Sequence, residues 1–388
     1  MFFKTALQRD LDRFYKSLYD EDFNIRAVTK GALTQARAKL NPWAFKRLNE
    51  VAVNTFYQEA EYYTWGGMRT LAVDGTRLML PKHSTTIDKY GEYGFGPNAD
   101  SPRSMAIGSM LYDVLNCLTI DAALAPYSGS ERDLLLEHLE KIEKGDLLLL
   151  DRGYPCFWLL FLLKAKQVEF CVRLKENWWL SVKDFTESKE KERIITLKLP
   201  PKDKEKLSEY PEMMNQELKV RLVRIELDNG EVEILCTSLL DTAQFPSAEF
   251  KELYHLRWNE EEAYKLLKAR AELEAFSGKT ARAVEQDFYA KIFVMTMCAA
   301  FALPIEEKVK KEYKAGKDRK FGQKINRTHA LASLMDMLVP VFLKKQFDRF
   351  LTAFDHLVYS TREIIRPGRS KPRKHRPKKQ HYMNYKRL

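Results

Sequence analysis

Only five cysteines occur in 388 residues (Cys117, Cys156, Cys171, Cys236 and Cys298), and no two stand at CxxC spacing. That scatter excludes a disulfide framework and a thiolate zinc site, leaving reduced, buried thiols as the expected state. The chain also has no GxxxxGK[ST], no GxGxxG after a strand, no HExxH and no GxSxG. Phosphate-loop ATPase, dinucleotide, metalloprotease and serine-hydrolase chemistry therefore have no motif to rest on. His83, His138, His255, His329 and His356 have no consistent partners in the sequence. No apolar run reaches the roughly 18 residues of a membrane span; the best, Ile292 to Leu303, reads as a short buried helix. The opening MFFKTALQRDLDRF carries acids and no long apolar core, so a secretory signal is not expected. With 45% hydrophobic residues, a chain of this length can bury a sizeable core, and two or three domains are expected.

Acids are missing from one region altogether. None follows Glu363, while RPGRSKPRKHRPKKQHYMNYKRL holds ten Lys or Arg, against a net charge of +11 for the whole chain. The body is thus nearly neutral. A Pro-interrupted basic tail cannot bury a core and is expected to stay disordered until it meets a polyanion such as DNA.

What is present is a helix-spaced set, Tyr254, Arg257, Glu261 and Lys268, in YHLRWNEEEAYKLLK. At about 100° per residue the last three fall about 300°, 340° and 320° from Tyr254, and Lys265 joins the stripe at about 20°. Within Glu260-Glu261-Glu262 only the middle residue belongs to it, since Glu260 points about 240° and Glu262 about 80° away. One acid among cations suits a metal ligand lying beside a phosphate backbone. Taken alone, the stretch suits equally a solvated helix with i,i+3 and i,i+4 ion pairs.

Two aspartates upstream change that balance. Asp74 follows an apolar run in LAVDGT, and Asp151 follows one in LLLLDRGY. Either alone reads as a turn or a helix cap. Together with Glu261 they form an ordered Asp, Asp, Glu set, and here the chain resembles the DDE transposases of bacterial insertion sequences, specifically insertion-sequence family four. The third acid of that family lies in a Y-x2-R-x3-E-x6-K signature, matched here at every fixed position, and the resemblance runs from about Asn24 to Ala300.

The resemblance implies an α/β fold: a ribonuclease-H-like catalytic core with a β-rich insertion before the last catalytic helix, plus a helical N-terminal region. It implies Asp74, Asp151 and Glu261 as catalytic residues holding two Mg²⁺ ions, replaceable by Mn²⁺, with Asp74 bridging both. Arg257, Lys265 and Lys268 are then expected on phosphates, and Tyr254 on the backbone or stacked. The implied partner is double-stranded DNA, both element ends and target, cut and joined by a homodimer in the bacterial cytoplasm, with a hairpin intermediate as the favoured route. The alternatives are a metal-dependent nuclease or resolvase on the same core, and a DNA-binding derivative that has lost catalysis.

Six segments are expected. Residues 1–66 are helical, with AVTKGALTQARAKL and WAFKRLNEVAVNTFYQEA on either side of Asn41-Pro42, and with Lys30, Arg37 and Lys39 as candidate phosphate contacts. Residues 67–175 begin the core with strands TLAVD, TRLMLP, SMAIGSMLYDV and CLTIDAALA. A helix opened by a Ser128/Glu131 capping box follows, then strand DLLLLD, a helix from Pro155 to Lys166, and strand VEFCVRLK. Residues 176–246 form the insertion, with strands in ERIITLKL, LKVRLVRIEL and EVEILCTSLL and a hairpin turn at Asp228-Asn229-Gly230. Residues 247–303 carry the catalytic helix, 304–365 are helical and 366–388 are the basic tail. Trp178 and Trp179 suit either stacking on an extruded base or, more often for paired tryptophans, packing.

Overall fold

The structure, a computed structural model, describes residues 6–94, 100–175, 178–228, 230–316 and 319–366. The basic tail beyond Arg366 and Asn229 of the expected turn lie outside these.

The fold is mixed α/β around one sheet. Strands β1 (Thr70–Met79), β3 (Arg103–Asp113) and β4 (Leu118–Pro126) are antiparallel, with β2 (Glu92–Tyr93) beside β3. On the other side of β1, β5 (Leu147–Leu150) and then β6 (Glu169–Leu174) run parallel. The order β4-β3-β1-β5-β6, three antiparallel strands followed by two parallel ones, is that of a ribonuclease-H-like core. Helices α5 (Glu131–His138) and α6 (Phe157–Ala165) make the two crossovers.

Leu147 to Leu150 are each wholly buried because the sheet is covered on both faces. Leu147 and Leu149 join one large hydrophobic cluster, Leu148 and Leu150 a second. Burying a Leu contributes roughly 1.5–3 kcal/mol, more than any local β preference, so packing decides this strand.

β1 runs unbroken where two strands were expected. It pairs with β3 from Leu71↔Asp113 to Met79↔Met105, so the Asp74-Gly75-Thr76 stretch continues a ladder instead of turning. The segment expected as an insertion extends the same sheet: β7 (Glu192–Lys198), β8 (Glu217–Glu226) and β9 (Val232–Thr237) follow, with β9 antiparallel to β6. The β8–β9 hairpin closes by Leu227 N–H donating to Glu231 O at 2.8 Å. α7 (Leu180–Ser188) precedes β7, and α4 (Ser84–Tyr90) lies between β1 and β2.

The N-terminal helices α1 (Leu7–Tyr19), α2 (Lys30–Lys39) and α3 (Trp43–Glu59) break where Asn41-Pro42 predicts. α2 starts at Thr29, whose side chain accepts the Ala32 N–H. Lys30 and Lys39 are exposed, but Arg37 is not a phosphate contact here: it is 7% exposed. Its Nε donates to Gln286 at 2.9 Å and its Nη2 to Asp287 at 3.1 Å, docking α2 on α10. A periodicity argument sees a cation and cannot see that acceptors 250 residues away in sequence await it.

The short apolar run around Ile292 proves to be the middle of α10 (Ala281–Glu312), a helix of 32 residues. By length and composition it could cross a membrane, yet 67% of its most apolar window is buried inside the protein. Its apolar side chains serve both hydrophobic clusters, and its buried polar Lys291 is satisfied by the Glu272 carbonyl at 2.7 Å. α11 (Arg327–Lys344) and α12 (Phe347–Ser360) follow, flanked by the two-stranded pair β10 (Gln323–Lys324) and β11 (Glu363–Ile364).

The helix after β4 is capped by Ser130, not Ser128: the Ser130 hydroxyl accepts the Arg132 N–H at 3.2 Å. Glu131 therefore closes no capping box, and its carboxylate lies against Gly75, where a Cβ would stand 2.8 Å from Oε1.

Candidate active site

Asp74 lies within β1, and Asp151 comes directly after β5, the parallel neighbour of β1. The third acid arrives on α9 (Trp258–Ala269), which follows α8 (Phe250–His255). One continuous helix was expected. Instead the chain tightens through Leu256 and Arg257, where Asn259 N–H donates to Leu256 O and Glu260 N–H to Arg257 O, bonds of i→i−3 type.

Arg257 is the centre of the charge arrangement. It is 3% exposed, and its positive charge is felt by Asp74, Asp151 and Glu261 alike. Its Nη2 lies 3.2 Å from Glu261 Oε1, while its Nε has no hydrogen-bond partner. The guanidinium also lies over the Tyr254 and Trp258 rings, 5.7 and 5.3 Å from their centroids.

The two aspartates are tuned in opposite directions. Burial lifts the Asp74 carboxyl to about 6; the Gly75 N–H and Arg257 pull it down, and the charges of Glu131 and Glu261 push it up further. Burial also works against ionised Asp151, yet the Arg152 N–H and the cations Arg173 and Arg257 hold it below the usual carboxylate range. Arg173, from β6, was not anticipated. A cation inside the buried strand VEFCVRLK was the available signal.

Tyr254 is 3% exposed, and its hydroxyl lies 3.3 Å from both Leu150 O and Asp151 Oδ1. It is packed beneath the site and is not placed to stack on a base. Lys265 is 60% exposed and paired with Glu262. Lys268 donates to Arg77 O at 2.8 Å, with burial lowering its affinity for a proton. The tight turn before α9 resets the wheel between Tyr254 and Glu261, while Lys265 and Lys268 keep their helical spacing from Glu261. Trp178 and Trp179 stack on each other at 5.1 Å, and Trp179 meets Phe157 at 4.6 Å, so they pack against the core; Trp258, 45% exposed, lies under the Arg257 guanidinium.

Glu260 was assigned to another face of the wheel, and the structure shows what that face does. It is wholly buried, its Oε1 accepts the Asp74 N–H at 2.8 Å, and its Oε2 has no partner. Burial, and then the charge of Asp74, push its carboxyl well above the usual range.

His138 has partners after all. Nδ1 lies 2.8 Å from Asp121 Oδ2 and Nε2 3.0 Å from Ser109 Oγ. Ser109 and His138 are both wholly buried, so this Ser-His-Asp set joins α5 to β3 and β4 and offers no substrate a nucleophile.

The donors suit a hard divalent cation in kind: carboxylate oxygens, with Asp74 driven up by burial and further by the negative charges of Glu131 and Glu261, which such an ion would offset. As the side chains stand, Arg173 holds Asp151 and Arg257 holds Glu261. Among the described residues no group of three or more His, Cys, Asp or Glu is gathered closely enough to hold a metal.

The family model described as "Transposase DDE domain" matches residues 65–297, a stretch containing Asp74, Asp151 and Glu261. The transposase InsG for insertion sequence element IS4, from Escherichia coli (strain K12), is 23% identical over 289 residues. The match covers 73% of this chain and 63% of that protein. A cryo-EM structure of the piggyBac transposase synaptic complex with hairpin DNA superposes with a TM-score of 0.42 at 12% identity, covering 90% of this chain and 70% of that one.

Proposed function

This chain belongs to the transposase DDE-domain family, and we propose that it cuts DNA at the ends of an insertion sequence and joins the freed ends to target DNA. The observation that carries the reading is that the fold sets Asp74 on β1 and Asp151 at the end of its parallel neighbour β5, with α9 bringing Glu261, paired with Arg257 at 3.2 Å, against β1 through the Glu260–Asp74 hydrogen bond. Members of the family depend on a divalent metal. In this reading Asp74, Asp151 and Glu261 would hold two Mg²⁺ ions, with Mn²⁺ able to substitute. Bound there, such ions supply activation of the attacking oxygen and stabilisation of the leaving one.

The rest falls to the chain itself. Arg173 and Tyr254 orient Asp151 by ion pair and hydrogen bond. Arg257 offsets the repulsion among the acids, and Lys265 and Lys268, at the outer end of α9, meet phosphates of the DNA end. Exposed Lys30 and Lys39 in the segment 1–66 serve end binding. Water attacks first and frees a 3′-OH; that hydroxyl next attacks the opposite strand, closing a hairpin, or the target. Two ends cut in concert require two copies of the chain on the DNA.

The test uses purified protein with duplexes carrying the inverted repeats that flank its gene, in Mg²⁺ or Mn²⁺. Metal-dependent nicking at the repeat boundary and products joined to target DNA are expected. Cutting without joining would favour the nuclease or resolvase alternative, and neither activity in either metal would end the proposal.

A further inference from the structure

We propose that Glu260 and Tyr264 form a clamp that positions Asp74, so that α9 sets the distance between the first and third acids through the backbone of β1. This rests on the reading of Asp74 and Glu261 as catalytic acids.

Glu260 and Tyr264 are one helical turn apart and face inward together: Glu260 is wholly buried and Tyr264 is 7% exposed. Glu260 Oε1 accepts the Asp74 N–H at 2.8 Å, and the Tyr264 hydroxyl donates to the Asp74 C=O, also at 2.8 Å. Both polar groups of the same residue are thus held by one helix. Asp74 itself pairs in register with Met110 on β3. The clamp therefore sits at the seam of two strands, where a displacement of α9 would move the ladder with it.

The Asp74 side chain inherits this placement. Gly75 N–H donates to Asp74 Oδ1 at 2.8 Å, so the carboxylate is oriented by the same peptide whose carbonyl Tyr264 holds. On the helix, Glu261 is the immediate neighbour of Glu260. Fixing residue 260 against residue 74 by direct hydrogen bond fixes the root of Glu261 relative to Asp74, though the bonded pair stand 186 positions apart in sequence. A buried carboxyl with one unpartnered oxygen is a costly way to anchor a helix. An apolar side chain would pack α9 as well, but it could not hold the Asp74 amide in register.

The acceptor oxygen is what matters, so Glu260→Gln should recover most of what Glu260→Ala loses. With duplexes carrying the element end, Glu260→Ala should lower metal-dependent cleavage about a hundredfold, the loss expected from misplacing a reacting group by about 1 Å. End binding should be unchanged, and Glu260→Gln should cleave within a few-fold of the unaltered chain. Tyr264→Phe keeps the ring in its packing and removes only the hydroxyl; it should lower cleavage about tenfold without unfolding the protein.

A second readout needs neither metal nor activity: hydrogen exchange of the peptide spanning residues 70–79. Exchange at Asp74 should be slow in the unaltered chain and in Glu260→Gln, and fast in Glu260→Ala. Equal exchange in all three, or unaltered cleavage in both Glu260→Ala and Tyr264→Phe, overturns the clamp. Failure of the unaltered chain to cut any end DNA would instead overturn the catalytic reading, and the exchange result would stand on its own.

Discussion

The guanidinium of Arg173 forks onto Asp151, with Nη2 2.6 Å and Nε 2.9 Å from the same Oδ1, while its Nη1 reaches Glu233 on β9. One side chain thereby ties the end of β5 to a strand added beyond the five-stranded core. The added strands thus have a physical connection to the acids. Removing the cation should be felt at Asp151: in Arg173→Gln its carboxyl should titrate at higher pH, measured by carboxyl-carbon NMR against the unaltered chain. No change would mean that the Arg152 N–H and Arg257 suffice.

The three acids should be individually indispensable for chemistry and dispensable for binding. Asp74→Ala, Asp151→Asn and Glu261→Gln should each abolish metal-dependent cleavage, with end binding by gel shift largely retained. Near-normal cleavage by Glu261→Gln would remove the third acid from the reading.

Asp74 predicts a pH dependence with a definite sign. Its folded carboxyl is raised to about 6 from an ordinary 3.8, so the folded chain holds a proton that the unfolded chain releases. The contribution is complete below the ordinary value and is lost as pH rises through about 6. In the presence of a chelator, stability to urea should fall over that interval, and fall less in Asp74→Asn. The same proton competes with a cation, so cleavage should decline as pH drops through about 6.

Arg37 should matter for folding and not for DNA. It is paired with Asp287 at 3.1 Å, with side chains 8% and 1% exposed. Arg37→Ala leaves that carboxylate buried without its cation, which costs roughly 3–5 kcal/mol. Thermal melting should register the loss. A variant that melts normally but binds DNA ends poorly would restore the phosphate-contact expectation.

Deleting the residues after Arg366 should weaken binding to all duplexes alike. Each phosphate contact contributes about 0.9 to the slope of log affinity against log salt, so seating three or four tail cations should change that slope by about 3. A salt titration of full-length and shortened chains decides; superimposable slopes would mean that the tail does not touch DNA.

Much of this was legible in the residues. The run Leu147 to Leu150 announced a strand buried on both faces, and the spacing from Tyr254 to Lys268 announced a helix bearing an acid. Illegible were the features that depend on partners far away in sequence. Arg37 read as a surface cation because Gln286 and Asp287 belong to a distant helix. Glu260 read as one more charge in an acidic run because its partner, the Asp74 amide, carries no sequence signal. The tight turn at Leu256–Arg257 has no Pro or Gly to mark it, and it sets Tyr254 off from the residues of α9.

The clamp on Asp74 also has a consequence in time. A ribosome adding about 5–20 residues per second needs roughly 10 to 40 s to pass from Asp74 to Glu260, given their separation of 186 residues. Throughout that interval β1 and its aspartate exist without the two side chains that hold the Asp74 peptide groups, and the third acid has not yet been made. The unfinished polypeptide therefore carries β1 and its aspartate with neither the side chains that hold that aspartate's peptide groups nor the acid next to them on α9.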